Sequence, residues 1–437
     1  MNIIQVFLCL IVLAILAKFI HKKKYKRLYE LLEQFPSYPT YPLIGNAHLL
    51  IGSTEGVLGR LEKIMQPYDR VIYWIGHTPI LFLKKHDDIA VVLNQSQDRD
   101  ILEATDEWLG IGLLNARYKE WLKSRKMLAP AFSSHMLSKY MTVFNKNASS
   151  LVENLKPVAE MGEQIDVLDW VMNVNLDGIT ENAMGISIQL CGKMGKEFCE
   201  AMIEGLKHGV KRFQWPWLLS YHIYMIYLRI SGKIKCIDHL QCLPTKILQE
   251  NIENNIQDFQ ANTSKSVVDL LIKSSVTDSS FNEIRMRDEL LHIISAGVET
   301  TALSLSFLML MLAMNQNIQQ KVYEEITQFV ADDEMLNETH LNNFRYLEQC
   351  IQETLRMFSP VMLTSRRTHK EIILKDNKII PANTLVVTFI HFSNYDADLY
   401  ENPFKWDPEH FSDQAVQQRP KTGQLTFGYG ARSCIGK

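Results

Sequence analysis

The stretch Phe427-Gly-Tyr-Gly-Ala-Arg-Ser-Cys-Ile-Gly-Lys437 decides how the rest of this chain is read. Within it a phenylalanine, a glycine, an arginine, a cysteine and a second glycine fall at Phe427, Gly430, Arg432, Cys434 and Gly436. At ordinary residue frequencies such a coincidence arises in well under about one chain in a thousand of this length. A cysteine thiolate that holds a metal needs a short loop that keeps its charge shielded. Gly430 and Gly436 are expected to supply the positive-φ backbone that such a tight loop requires. An arginine two residues before the cysteine offers a planar guanidinium to a carboxylate. Phe427 is placed to cover the apolar side of the sulfur.

This loop resembles the haem-binding signature of the cytochrome P-450 family. The resemblance implies haem b (iron protoporphyrin IX) as the cofactor, with Cys434 as the axial iron ligand, Arg432 meeting a haem propionate, and Phe427, Gly430 and Gly436 shaping the loop. Other segments in the same order carry the resemblance from residue 36 onward. Trp121-Leu-Lys-Ser-Arg125 matches the family's WxxxR, which implies that Trp121 and Arg125 reach a propionate. Arg366, ten residues after Arg356, matches a further propionate arginine. Glu353-Thr-Leu-Arg356 places two opposite charges on one helical face by i,i+3 spacing. In the family that pair is buried and supports the haem loop, with a third partner from a Pro-Glu-Arg-Phe segment. This chain has Pro408-Glu-His-Phe411, so His410 stands where arginine is usual; it loses the bidentate fork and is expected to donate one hydrogen bond.

The oxygen-activating motif is expected in a long helix from about Asn282 to Met314, roughly 50 Å at 1.5 Å per residue. Its nearly all-apolar second half, Leu303 to Met314, is expected to lie buried through the centre of the domain. Within it, Ala296-Gly-Val-Glu-Thr-Thr301 breaks local rules: a mid-helix glycine costs about 1 kcal/mol, and a carboxylate among apolar neighbours costs more unless it has a partner. Gly297 is expected to leave room for a flat cofactor or for O2. By resemblance, Glu299 and Thr300 are the catalytic pair that delivers protons during oxygen activation.

The chain has 437 residues, 46% hydrophobic and 22% charged, with net charge −3. That length can bury a large core, and no Pro/Gly/Ser-rich linker divides it after residue 50. The charge balance gives no reason to expect a nucleic-acid partner. Seven cysteines, with no CxxC pair and no zinc spacing, fit free thiols in a reducing compartment.

Residues Ile3 to Ile20 are apolar except Gln5 and Lys18, and eighteen helical residues span about 27 Å, enough for a thin bilayer. The cluster His21-Lys-Lys-Lys-Tyr-Lys-Arg27 follows, which puts that end in the cytosol; a cleaved secretory leader is the competing reading. Pro36, Pro39 and Pro42 stiffen Phe35–Gly45 into an extended spacer. The organisation is therefore a transmembrane anchor over 1–20, a basic and proline-rich hinge over 21–46, and a catalytic domain over 47–437. The expected fold is mainly α, with small β-sheets near both ends. Arg70–Ile75 and Ile80–Leu83 read as a β-hairpin, and Ile372–Leu374 and Thr384–Ile390 as later strands.

Taken together, the resemblance implies a monooxygenase on the cytosolic face of the endoplasmic reticulum membrane. It would insert one atom of O2 into a small lipophilic substrate (fatty acid, hormone or xenobiotic). Its electrons would come from an NADPH-dependent flavoprotein reductase drawn by Lys119, Lys123 and Lys126, with a small b-type cytochrome as a further partner. A haem-thiolate isomerase that uses no O2 is disfavoured by Glu299-Thr300. Gly112-Leu-Leu, Arg125-Lys-Met-Leu-Ala-Pro-Ala-Phe132 and Trp215-Pro-Trp-Leu218 resemble the clan of fatty-acid ω-hydroxylases and insect enzymes. In several of these a glutamate occupies the place of Ala296 and bonds to haem; Ala296 cannot. The aromatic run Trp215 to Tyr227 is either a membrane-dipping access loop or ordinary helix packing. In the family a helix and a final sheet follow the cysteine, so a chain ending at Lys437 is expected to be C-terminally truncated and to hold haem poorly, with an inactive fragment as the alternative reading.

Overall fold

The computed structural model of the protein describes residues 5, 12, 20, 22–41, 43–99, 104–185, 192–255, 266–332 and 334–437. The expected membrane anchor over 1–20 lies almost wholly outside the described residues. The remainder is mainly helical with two small sheets, as its periodicity predicts.

Alternating Val, Ile, Tyr and Trp with a positive-φ turn at Gly76 (φ 59°) form the hairpin of β1 (Arg70–Ile75) and β2 (Thr78–Leu83). The sheet also takes in β3 (Leu363–Arg367) and β6 (Leu385–Phe389), in the order β1-β2-β6-β3. Among these four strands β2 and β6 pair in parallel and the other two pairings are antiparallel. A second sheet pairs β4 (Ile372–Ile373) with β5 (Ile379–Ile380). The strand β3 was not legible in the sequence, and it carries Arg366.

The described residues of 22–46 pack on the domain rather than standing off as an extended spacer. Helix α1 (Lys26–Leu32) buries Leu31 and Leu32, and Phe35 follows them into the core beside Ile72, Leu81 and Ile380. Arg27 makes two hydrogen bonds to Glu371 at 3.0 and 3.1 Å, and Tyr29 stacks on Trp74 with centroids 5.4 Å apart. The chain then doubles back, Tyr41 pairing with Gly45. A Cβ on Gly45 would lie 2.4 Å from the Trp74 carbonyl oxygen, so only glycine fits there.

Six further helices position the site: α2 (His86–Gln95), α3 (Tyr118–Leu128), α4 (Val167–Met184), α5 (Gly192–Gln214), α6 (Ile234–Asn255) and α7 (Val267–Thr277). Two more complete the set, α8 (Glu283–Met314) and α9 (Arg345–Met357). Asn282 caps α8, its side chain accepting from the Arg285 N–H. The first half of α8 lies in the core: Leu290, Leu291, Ile294, Val298 and Ala302 are fully buried among α4, α6 and α7. The second half departs from expectation. Between 303 and 314 only Leu308 is buried, and Leu305, Met309, Leu310 and Met314 are exposed. One side of this half packs on other helices, Phe307 stacking on Phe358 with centroids 4.4 Å apart and Leu308 beside Val322, Cys350 and Met357, while the other side stays open; apolar composition alone does not bury a helix. By length and hydropathy α8 could cross a membrane, but the packing of its first half is that of a core helix.

Candidate active site

The cysteine loop is shaped by glycine, though not by the pair expected. Gly428 (φ 72°) and Gly430 (φ 73°) take the left-handed conformation; Gly436 does not. A Cβ on Gly430 would stand 2.8 Å from the Leu93 carbonyl oxygen at the end of α2. The missing side chain of Gly436 faces the thiol instead, with a Cβ position 4.0 Å from Cys434 Sγ. The backbone closes on itself: Cys434 N–H donates to the Phe427 carbonyl at 2.8 Å, and Ser433 N–H to Gly430 at 3.0 Å. Cys434 itself is exposed at the end of this turn, and Phe427 is half-buried.

Beside the loop, three arginines converge. Arg432 is 3% exposed and Arg366 1%; the third, Arg99, was missed in the sequence. Arg99 donates to the Arg432 carbonyl (3.0 Å) and to the Leu114 carbonyl (3.3 Å). Arg432 donates to Ala116 O at 2.7 Å, and Arg366 to Ser96 O at 3.0 Å and Ser365 O at 2.7 Å. These acceptors are neutral carbonyls. Burial, then mutual repulsion, pushes Arg366 down to about 8 and Arg432 to about 9. Burial also lowers Arg99 to about 10, while the Cys434 charge works the other way. Arg99 Nε and Arg432 Nε and Nη1 are buried without a hydrogen-bond partner. Buried guanidinium groups left in this state are strongly unfavourable. The cluster therefore fits an acidic group with more than one carboxylate, and Arg125, which also feels the Cys434 charge, completes the basic rim. Trp121 is found under Arg432, its ring centroid 4.4 Å from the guanidinium carbon.

On α8, Ala296 is exposed and Glu299 and Thr300 are both partly open. Thr300 Oγ1 donates back to the Ala296 carbonyl at 2.7 Å, which leaves its lone pairs free to accept. Burial alone pushes the Glu299 carboxyl up to about 7. Gly297 does not face open space: a Cβ there would meet Ile179 of α4 at 3.0 Å, so this glycine serves close packing of α4 on α8.

One loop joins α8 to Arg432. Three successive acceptors on α8 take three backbone N–H groups: Asp288 from Ile111 (3.1 Å), Glu289 from Leu113 (2.8 Å), and His292 Nδ1 from Leu114 (3.0 Å). Two residues on, Ala116 holds Arg432. Glu289 is also bonded by Ser124 of α3 at 2.5 Å and paired with Arg285 at 2.9 Å. Burial pushes His292 down to about 4, consistent with a neutral ring that accepts at Nδ1. Nothing in the spacing of Asp288, Glu289 and His292 announced this arrangement.

Glu353 and Arg356 are fully buried, paired through two bonds at 2.7 and 2.8 Å. Arg356 also donates to the carbonyls of Asn394, Pro403 and Lys405, pinning the segment that leads to the cysteine loop. His410 makes two contacts where one was expected: Nδ1 to Glu353 Oε1 at 3.0 Å and Nε2 to the Glu401 carbonyl at 2.5 Å.

The chain thus combines a glycine-shaped cysteine turn, a cluster of arginines and an acid–threonine step on a core helix. The family model described as Cytochrome P450 matches residues 36–437. Among curated proteins, the chain is 26% identical over 439 residues to "Cytochrome P450 4d1" of Drosophila melanogaster, covering 95% of this chain and 85% of that one. It is 27% identical over 450 residues to "Cytochrome P450 4c21" of Blattella germanica, covering 99% and 89%. The chain belongs to the cytochrome P450 family and is a cytochrome P450 monooxygenase.

Proposed function

We propose that the chain is a membrane-bound monooxygenase that holds haem b through Cys434 and oxidises a small lipophilic substrate with electrons from an NADPH-dependent flavoprotein reductase. The observation that carries this is the convergence of buried Arg366 and Arg432 with half-buried Arg99 beside the cysteine turn, none of them in an ion pair with a carboxylate among the described residues. Two propionates would neutralise them through charge-assisted hydrogen bonds. Haem bound there would supply oxygen activation, with the thiolate pushing electron density toward O–O cleavage. Glu299, near half-protonation at neutral pH, holds the proton and Thr300 aligns it. Gly428 and Gly430 fix the turn, and the Glu353–Arg356 pair steadies the segment before it.

Exposed Lys119, Lys123 and Lys126 form a basic face next to Arg125 suited to an acidic flavoprotein or a small b-type cytochrome. Membrane attachment on the cytosolic face of the endoplasmic reticulum rests on the apolar run 3–20 and the lysines after it. Exposed Tyr221, Ile223, Ile226 and Ile230 lie on the outer side of Tyr221–Ile230, whose Tyr224 and Leu228 face the core; with exposed Trp217 in the preceding turn Pro216–Leu219 they support contact with lipid. The substrate is of the fatty acid, hormone or xenobiotic type.

The test is the carbon monoxide difference spectrum of reduced membranes containing this chain. A long-wavelength Soret band supports haem held by the Cys434 thiolate, and its loss in Cys434→Ser confirms the ligand. Protein present without that band overturns the reading.

A further inference from the structure

We infer that His410 is a positioning residue that works as an imidazolium, so that the support of the cysteine loop is proton-dependent. The argument is one of donors and acceptors. A neutral imidazole has one N–H and one lone pair. Here Nδ1 faces the Glu353 carboxylate at 3.0 Å and Nε2 faces the Glu401 carbonyl at 2.5 Å. Neither partner can donate to a ring nitrogen, so both nitrogens must donate, and only the charged ring does so.

The surrounding charges agree with this in balance. Glu353 is fully buried and is the main group favouring the charged ring. Arg356 on α9 opposes it. Arg419 donates to the His410 backbone carbonyl and stacks on Tyr400 and Phe411, a second opposing charge nearby. Asp407 and Glu409 belong to the same turn. The net result is a pKa raised above the ordinary histidine value, with the Glu353 hydrogen bond the largest cause.

The ring also sits on a route to the loop. His410 packs edge-on against Tyr400, centroids 5.7 Å apart, and Tyr400 OH donates to the Gly423 carbonyl at 3.2 Å. Gly423 leads into Leu425, whose carbonyl takes the Gly428 N–H at 2.8 Å. An arginine at 410 would hold this corner at any accessible pH. Histidine holds it only while protonated. Because the folded-state pKa is raised, the stabilisation is complete below about pH 6.5 and is lost as pH rises through the folded value.

The link to the haem loop rests on the function proposed above; the charge state of His410 does not. Full-length wild type, His410→Arg and His410→Gln would be compared between pH 6 and 9. Thermal unfolding would be followed without haem, and Soret-band retention with haem. Without haem, the wild-type midpoint should fall by a few degrees relative to His410→Arg as pH rises, while His410→Gln stays at the wild-type alkaline limit throughout. A constant gap between wild type and either variant across this range overturns the imidazolium; His410→Gln decides it alone if His410→Arg does not fold. Soret retention that follows the same pH course in wild type only supports the link to the loop, and pH-independent retention overturns that link. Failure to bind haem at any pH would overturn the functional reading, leaving the unfolding comparison to judge His410.

Discussion

Glu299 is a carboxyl on a core helix with no hydrogen-bond partner among the described residues, and burial alone moves it up to about 7. Its ionisation is therefore harder in the folded chain than in the unfolded one. The cost grows as pH rises from the ordinary carboxylate range through about 7, then levels off. Two outcomes are expected. Glu299→Gln should remove that pH-dependent cost, seen as a flatter stability profile between pH 5 and 8. Glu299→Gln and Thr300→Ala should each uncouple NADPH consumption from product, and the wild-type dependence of coupling on pH near 7 should vanish in Glu299→Gln; unchanged coupling would refute the proton role. Arg99 gives a test with opposite signs. Arg99→Met removes a largely desolvated charge with no carboxylate partner among the described residues, so the haem-free chain should gain stability by about 1 kcal/mol or more. Haem affinity should fall tenfold or more, as expected when a charge-assisted bond worth about 1.5–3 kcal/mol is lost. Sequence spacing singled out Arg366 and Arg432, and the fold brings them together. Arg99 was illegible because Gln97-Asp-Arg-Asp100 reads as an ordinary polar turn; only tertiary packing makes its charge unusual.

Among elements, the cysteine turn is the most constrained. Gly430 meets two demands at once, a left-handed φ and a neighbouring backbone carbonyl at the Cβ position. Gly430→Ala should cost about 1–2 kcal/mol from conformation alone, plus displacement of the turn away from Leu93. A weakened and shifted Soret band is the expected readout, and a wild-type spectrum would contradict the geometry. The hairpin β1–β2 and the start of α8 were legible because each is announced locally, by alternation with a turn glycine and by Asn282 as a cap. The fate of the second half of α8 was not, since burial depends on what packs against a helix and its own residues carry no record of that. Gly297 misled for a related reason: a small residue marks a close approach without saying to what, and here the neighbour is Ile179.

For the whole molecule, fold class was legible because helical periodicity over most of the chain leaves few alternatives, whereas the charge balance of the site was not. A net charge of −3 conceals a concentration of positive charge in one corner, only partly offset by Asp98. The protein is thus expected to bind haem largely through its acid groups. Haem dimethyl ester, which has the same ring and no propionate charge, should bind at least tenfold more weakly than haem, and Arg432→Met should narrow the difference. Equal affinities would mean that the arginine cluster serves another anion.

The loop stapled to α8 at Asp288, Glu289 and His292 also sets what motion the site allows. Turning α8 by a single residue, about 100°, would pull all three acceptors off their N–H groups together, and the same loop holds Arg432 two residues later. There is no slack between the helix that carries Glu299 and Thr300 and the clamp that would grip the cofactor's acid edge. Breathing of this enzyme to admit a substrate is therefore expected in other parts of the fold, with these two tied together by their shared hydrogen bonds.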